Sequence, residues 1–250
     1  MFQNQRPAML KLHPLDADLV IEAVADVPEP PLEIERRIES IWCAEQARRS
    51  TPMFNGELFS LLTQSRDRLT GRFVEYRWFV AQQRAPELFE HLRVRPLAVS
   101  GLLVGPDGVV FGERSMSSTQ DPGRWELAPS GGLDRSCLRG DGSVDCVAKL
   151  LEELVEETGC PATAVTACEP FVLVEDVESR VFDIGVALRT ELRGPEIVKR
   201  HRDSSNREYT ALELVPLAEL ADFVTRRSSG LVDISRALLA ARGLLIDAAT

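Results

Sequence analysis

The sequence contains few of the residues from which several common kinds of site are built. Its three histidines, His13, His91 and His201, lack the spacing of a metal set or a catalytic triad. Its five cysteines are odd in number and form no C-x-x-C pair, so neither a disulfide framework nor a zinc site is indicated. Unpaired cysteines are typical of a reducing compartment, and we therefore expect a cytoplasmic protein.

Long apolar runs and dense basic blocks are also missing. No stretch approaches the roughly 20 residues that span a bilayer, and the first residues lack the apolar core of a signal peptide. We therefore expect no membrane partner. The 29 basic residues are outnumbered by 39 acidic ones, giving a formal net charge of −10, and they are not gathered into one patch. A nucleic-acid partner is not expected, whereas a small anionic substrate would need a metal ion or a local basic pocket.

One acidic helix dominates what the sequence does contain. The stretch from Gly142 to Cys160 reads GSVDCVAKLLEELVEETGC. Ser143 is predicted to cap a helix that begins at Val144, and Gly159 to end it. At about 100° per residue, the predicted core side carries Val144, Val147, Leu151, Leu154 and Val155, and the opposite side carries Glu153, Glu156 and Glu157.

This concentration of carboxylates predicts a cation nearby. Glu152 lies at the edge of the acidic side, and Lys149 lies about one turn before it. Like charges three or four residues apart on a helix cost about 0.2–0.5 kcal/mol per pair unless a cation neutralises them. The simpler alternative is a solvated acidic face, and only the flanking sequence favours a binding site.

Three segments match, in order, the motifs of one enzyme family. Residues 125–132 read WELAPSGG, residues 153–160 read ELVEETGC, and residues 206–220 contain NREY followed by LVPLAEL. They resemble the W-E-x-P-x-G-G lead-in, the R-E-U-x-E-E-x-G-U end of the Nudix box (U is apolar) and the late strand and turn of Nudix hydrolases. The resemblance covers residues 93–245.

The sequence departs from the family pattern in two ways. Glu152 stands where the family has an arginine, which replaces a cation by another acid. The box is also about six residues too long, and the extra residues fall within 133–142, a polar stretch predicted to be a surface loop. An earlier acid of the family falls on Val144, so it is either missing or supplied by Asp141 or Asp145.

The resemblance implies an α/β fold. We expect a Nudix-type α/β/α sandwich with a mixed sheet over residues 93–250, and an N-terminal α+β extension over residues 1–92 that grips substrate or mediates a homodimer. Periodicity and turn residues predict an irregular segment before residue 32, a helix over 32–50, paired strands over 54–62 and 68–74, a helix or strand-to-helix segment over 76–89, a hairpin of 94–104 and 109–114, a flexible rim over 116–123, strands over 171–176 and 181–188, a loop over 193–205, a strand over 208–215, and helices over 217–224 and 231–245.

The resemblance also implies a reaction, the metal-dependent hydrolysis of a diphosphate bond. Glu153, Glu156 and Glu157 are expected to bind Mg²⁺ or Mn²⁺, since hard cations prefer oxygen ligands. Glu157 or Glu208 is expected to act as the base, although Glu208 is equally well explained as a surface residue at a strand edge. The expected substrate-binding residues are Arg114, Gly131, Gly132 and Arg77.

The substrate is expected to be a nucleoside diphosphate linked to another group, with a nucleotide sugar as the main candidate. The basis is the N-terminal extension, in which Arg77 lies between Tyr76 and Trp78 and suits ring stacking and phosphate binding. The alternative is a Nudix domain that has lost catalysis and binds nucleotides or partners. Against it stands a hypothesis that Lys149 supplies the charge missing at Glu152.

Overall fold

The computed structural model describes residues 9–245 except positions 26, 28, 50, 51 and 119. Parts of three predictions therefore lie outside the described residues: the first residues considered for a signal peptide, Pro28 in the predicted irregular segment, and the predicted helix end at Ser50. Within them, no helix has both the length and the apolar character needed to cross a bilayer.

Groups of consecutive strands are separated by helices along the chain. The strands are β1 Leu10–Pro14, β2 Val20–Ala23, β3 Glu57–Gln64, β4 Arg68–Glu75, β5 Leu97–Gly105, β6 Gly108–Arg114, β7 Trp125–Leu127, β8 Ser130–Gly132, β9 Val165–Asp176, β10 Val181–Thr190 and β11 Tyr209–Val215. The α-helices are α1 Leu32–Ala47, α2 Tyr76–Arg84, α3 Phe89–Leu92, α4 Cys146–Thr158, α5 Gly194–Asp203, α6 Leu220–Arg226 and α7 Asp233–Ala241.

A mixed eight-stranded sheet forms the centre of the molecule. Its main path is β1-β9-β10-β5-β6-β11, with β7 added to β6 and β8 to β5. The β10–β5 pair is parallel, whereas the other pairs of this sheet are antiparallel. The predicted hairpin of β5 and β6 is confirmed. The strands predicted over 171–176 and 181–188 lie within β9 and β10, which pair antiparallel.

Helices cover both faces of this sheet. On one face Leu150 and Leu154 of α4 belong to the same buried cluster as Ile184 of β10. On the other face α6 and α7 pack through a second cluster that includes Phe223 and Leu238. The expected α/β class, with a mixed sheet between helical layers, is thereby confirmed.

Three strands of the N-terminal third form a smaller sheet that is hydrogen-bonded to the rest of the fold. The small sheet has the order β2-β4-β3, and the predicted β3–β4 hairpin and helix α1 are confirmed. The irregular start predicted before Leu32 is wrong, since β1 pairs with β9 in the large sheet and β2 runs parallel to β4. These strands have five and four residues, too few for alternation to be recognised without their partners.

The extra residues of the box are a docking segment for the small sheet. Leu133 and Cys137 are buried, although the stretch 133–142 reads as a polar surface loop. The Phe59 N–H donates to the Leu133 carbonyl oxygen at 2.8 Å, and the Ala23 N–H donates to the Gly142 carbonyl oxygen at 3.0 Å. The insertion therefore carries backbone partners for β2 and β3.

Two predictions near the acidic helix need correction. Helix α4 begins at Cys146 and is capped by Asp145, which accepts from the Ala148 N–H at 2.9 Å, so the predicted cap at Ser143 is wrong. The helix starts two residues later than predicted, and Cys146, Leu150 and Leu154 lie on its buried side. Val155, predicted to be in the core, is exposed.

A second helix lies where a charged loop was predicted. Helix α5 has Pro195 in its first turn, where a missing N–H costs nothing. Ile197 and His201, four residues apart, form its buried side. The prediction failed because charged side chains on the exposed side of the helix obscure this short apolar period.

Candidate active site

A cavity of about 500 Å³ lies where the two sheets and helix α4 meet. The small sheet and α2 contribute Leu58 and Tyr76 to its wall. The large sheet contributes Ser100, β8 contributes Gly131, and α4 contributes Glu153. The polar rim expected over residues 116–123 is represented by Gln120 and Asp121.

Glu157 is a fully buried acid with one free oxygen. Its Oε2 accepts a hydrogen bond from the Ser130 N–H at 3.0 Å, whereas its Oε1 has no partner. His201 Nδ1 lies 2.9 Å from the Glu157 carbonyl oxygen, which fixes the end of α4 against α5. Burial, and after it the negative charge of Glu208, raises the pKa of Glu157 well above its usual value.

Glu153, one turn before Glu157, is held by a lysine. Lys149 Nζ lies 3.0 Å from Glu153 Oε1, 3.2 Å from Glu152 Oε2 and 3.7 Å from Asp134 Oδ2. Burial raises the pKa of Glu153, and Lys149 opposes this shift. Lys149 is thus the cation among these acids, as the hypothesis for the missing arginine requires.

A second buried carboxylate, Glu126 of β7, has three hydrogen-bond donors. The Arg114 guanidinium forms an ion pair with it, Tyr209 Oη donates to Oε1 at 2.9 Å, and Ser130 Oγ donates to Oε1 at 3.2 Å. Burial raises the pKa of Glu126, and Arg114 is the main opposing influence. Because Ser130 also binds Glu157 through its N–H, this network and the acidic helix share one residue.

Glu208 completes the acidic surroundings. It lines the cavity, its side chain is 42% exposed, and its Oε1 lies 3.9 Å from Arg114 Nη2. Its charge raises the pKa of both Glu157 and Glu153. Five of the predicted site residues line this cavity, namely Arg114, Gly131, Gly132, Glu153 and Glu208, and Glu157 lies one turn after Glu153. Their roles stay predictions.

Two of the predicted site residues lie elsewhere. Arg77 points away from the cavity, since its guanidinium binds Glu75 at 2.7 Å and Glu35 at 2.5 Å. Its neighbour Tyr76 lines the cavity instead. Glu156 is exposed on the solvent side of α4 and does not line the cavity.

Three residues at the site had no role predicted from the sequence, namely Glu126, Tyr209 and Asp183. Glu126 and Tyr209 belong to the motifs over 125–132 and 206–220, so the sequence indicates that they lie near the site. It does not indicate their role, because the burial of Glu126 against an arginine depends on the three-dimensional fold. Asp183 lies in a strand whose neighbours are mostly apolar, and that isolated acid was the one available signal.

The carboxylate side chains at the site are of the kind that bind a divalent cation, although they are not clustered as the ligands of a single ion. Within the described ranges, no three His, Cys, Asp or Glu side chains form a group that could hold a metal ion. Glu157 Oε1 is nevertheless buried without a partner, and Glu153 lies one turn away. Carboxylate oxygens are the ligands that Mg²⁺ and Mn²⁺ prefer. A bound cation would satisfy this oxygen and reduce the repulsion with Glu208.

Comparison with known proteins gave matches among solved structures alone. No protein-family profile matches the chain, and no curated protein does. A protein of Deinococcus radiodurans is similar at 14% identity and a TM-score of 0.46, over 73% of this chain and 98% of that one. A bifunctional NMN adenylyltransferase/ADP ribose pyrophosphatase from Francisella tularensis is similar at 13% identity and a TM-score of 0.44, over 65% and 44%. A Nudix hydrolase from Nitrosomonas europaea is similar at 10% identity and a TM-score of 0.40, over 59% and 88%. Identity does not exceed 14% in these three and each TM-score is below 0.5, so these similarities do not indicate a function.

Proposed function

We propose that this protein is a Nudix-type pyrophosphohydrolase that cleaves the diphosphate bond of a nucleotide sugar into a nucleoside monophosphate and a sugar phosphate. The observation that carries the proposal is the buried Glu157, whose Oε1 has no partner and which lies one turn after Glu153, a residue of the cavity wall that packs against the Gly131 backbone. The match of these residues to the Nudix box supports the same assignment.

Glu153 and Glu157 would hold a Mg²⁺ or Mn²⁺ ion, with Glu156 as an outer carboxylate of the same helix. Such an ion, when bound, neutralises diphosphate charge and makes a water molecule more acidic. The Ser130 N–H fixes the second oxygen of Glu157, so that Oε1 alone is free to act as a ligand. Gly131 leaves space for the Glu153 side chain next to the backbone.

Glu208 is assigned as the base and Arg114 as a phosphate-binding residue. Glu208 is half-exposed at the cavity, where a water molecule can reach its carboxylate, whereas Glu157 is enclosed. Arg114 lines the same cavity between Glu126 and Glu208. A guanidinium in this place can donate to a phosphate oxygen while keeping its bond to Glu126.

The proposal is tested by measuring phosphate-ester release from nucleoside diphosphate sugars, ADP-ribose, dinucleoside polyphosphates and nucleoside triphosphates. Each is assayed with Mg²⁺, with Mn²⁺ and with a chelator. We expect metal-dependent cleavage of nucleoside diphosphate sugars, with release of a nucleoside monophosphate. Cleavage of triphosphates alone would overturn the substrate class, and no cleavage of any compound would overturn the enzyme assignment.

A nucleotide-binding protein without catalysis is the second candidate. The observation that favours it is the ion pair between Lys149 and Glu153, which engages a carboxylate that a metal ion would otherwise use as a ligand. In that case nucleotides would raise Tm with and without chelator, and no bond would be cleaved. A rise in Tm that needs Mg²⁺ or Mn²⁺ would support the hydrolase instead.

Replacing Lys149 by methionine is expected to impair turnover most at low pH. Without the lysine, burial leaves the pKa of Glu153 higher, so this ligand is protonated over a wider acidic range. We expect kcat/KM to fall about 10-fold at pH 6, equivalent to about one pKa unit, and less at pH 8.5. Lys149→Arg should restore most of the loss. An equal loss at both pH values would show that Lys149 does not act through Glu153.

Two adjacent glycines give a matched pair of variants. A Cβ at Gly131 would lie 2.4 Å from Glu153 Oε1, whereas a Cβ at Gly132 would meet nothing within 4 Å. Gly131→Ala must therefore displace a flexible carboxylate rather than the backbone. We expect it to raise the Mg²⁺ concentration for half-maximal activity at least about 10-fold, the effect of losing one charged ligand interaction. The same increase in Gly132→Ala would contradict the assignment of Glu153.

A further inference from the structure

Asp183 lies in the floor of the cavity, outside the set of residues assigned to diphosphate cleavage. It belongs to β10 and pairs in register with Ala98 of the parallel strand β5. Its chain neighbours Phe182 and Ile184 are buried in the cluster beneath α4. Because successive side chains of a strand point to opposite faces, Asp183 faces the other side, where Ile234 also lines the cavity.

The Asp183 carboxyl has one bound oxygen and one free oxygen. Ser100 Oγ donates to Oδ2 at 3.0 Å, whereas Oδ1 is buried and has no partner. The residue is only 8% exposed. Burial raises the pKa of Asp183 to about 8, with the hydrogen bond from Ser100 as the opposing influence and the charge of Glu126 as a smaller addition. At neutral pH the group is therefore mainly a carboxylic acid, which can donate through O–H.

This free oxygen is distinctive among the polar groups of the cavity. Of the described residues that line it, Asp183 alone has a buried side-chain oxygen or nitrogen without a hydrogen-bond partner. A buried polar group without a partner is costly, and ligand-binding sites are a common reason for one to be present. The wall also includes aromatic and aliphatic side chains, among them Tyr76, Phe79 and Val181.

We propose that Asp183, positioned by Ser100, binds the nucleobase of the substrate by donating a hydrogen bond to an acceptor atom on the edge of the ring. The inference rests on the proposed function, since it assigns the nucleoside half of that substrate. A nucleobase has apolar faces and few polar atoms at its edge, which suits the aromatic and aliphatic residues of this wall together with one free polar atom. A hexose carries several hydroxyl groups, each of which needs a partner when buried. Asp183 is thus assigned to the base and not to the sugar.

The test is calorimetric binding of AMP, GMP, CMP and UMP, with ribose 5-phosphate as the ligand that lacks a base. For the natural protein we expect at least one of the four nucleotides to bind at least 10-fold more tightly than ribose 5-phosphate. Asp183→Ala should lose about 10- to 100-fold for that nucleotide, as expected for removal of a buried hydrogen-bond partner, and nothing for ribose 5-phosphate. Asp183→Asn should stay within about 3-fold of the natural protein, because its amide oxygen can accept from Ser100 while its N–H₂ donates into the cavity.

The outcomes separate this inference from the proposed function. Binding needs no turnover, so an inactive protein whose nucleotide affinity still depends on Asp183 would support the base site and overturn the hydrolase. Metal-dependent cleavage with an unchanged KM in Asp183→Ala would support the hydrolase and overturn the base site. Equal affinity for nucleotides and ribose 5-phosphate in the natural protein would overturn the base site, and so would equal losses for both ligands in Asp183→Ala. If Asp183→Ala does not fold, Ser100→Ala serves as the second variant, with a selective loss of about 3- to 10-fold expected for the nucleotide and an unchanged affinity overturning the inference.

Discussion

Glu157→Gln is expected to lower kcat by about 10² to 10⁴-fold, because it removes a charged ligand of the ion that would stabilise the reacting diphosphate. The amide has nearly the same shape as the carboxyl, and it can still accept from the Ser130 N–H through its oxygen. What it loses is the charged Oε1, the buried atom that has no protein partner. The loss should therefore appear in turnover and in metal dependence, with little change in nucleotide affinity.

The same variant is expected to keep or increase the free energy of unfolding. Burial and the charge of Glu208 oppose ionisation of Glu157, and a neutral amide avoids both penalties. Glu169→Gln is a matched control, since this half-exposed glutamate of β9 lies outside the three motifs and pairs with Arg242 at 2.9 Å. A thermal melt and a turnover assay on both variants decide the matter. Full activity in Glu157→Gln would remove Glu157 from the site, and a large fall in Tm would indicate a mainly structural role.

The identity of α4 as an acidic helix was predictable, whereas the environment of each acid was not. Four glutamates within a short helical stretch and Gly159 at its end follow from local spacing. Their burial depends on the direction in which the helix faces the sheet. Glu157 is enclosed, Glu153 is half-buried against Lys149, and Glu156 is exposed, yet all three were assigned to one face.

The role of the N-terminal region also depends on contacts between distant parts of the chain. Arg77 stands between two aromatic residues and has the local features of a ligand-binding residue. Glu35 of α1 and Glu75 of β4 instead hold its guanidinium away from the cavity. Conversely, the insertion over 133–142 is polar in composition, but its role is to bind β2 and β3. In each case the deciding partner lies in another element, which local periodicity does not reveal.

Arg114→Met is expected to reduce the free energy of unfolding by about 3 kcal/mol, because it leaves Glu126 buried without its cation. The side chains of Arg114 and Glu126 are only 14% and 10% exposed, so water cannot replace the lost partner efficiently. Tyr209 and Ser130 still donate to Glu126, which limits the penalty. For a chain of this size the loss corresponds to a fall in Tm of about 6–12 °C.

A double-mutant cycle can separate the interaction energy of the Arg114–Glu126 ion pair from the contributions of the two side chains alone. In Arg114→Met, burial alone raises the pKa of Glu126, so the folded state binds a proton more tightly than the unfolded chain and loses stability as pH rises above the unfolded pKa of about 4.3. The defect should therefore shrink towards pH 4.5, and Arg114→Met/Glu126→Gln should recover most of the stability at pH 7 because no buried charge remains. The exposed pair of Arg37 and Glu87 provides the control, since Arg37→Met should cost less than about 1 kcal/mol. Equal losses in the single and double variants would mean that Arg114 stabilises the fold through packing of its side chain and not through its charge on Glu126.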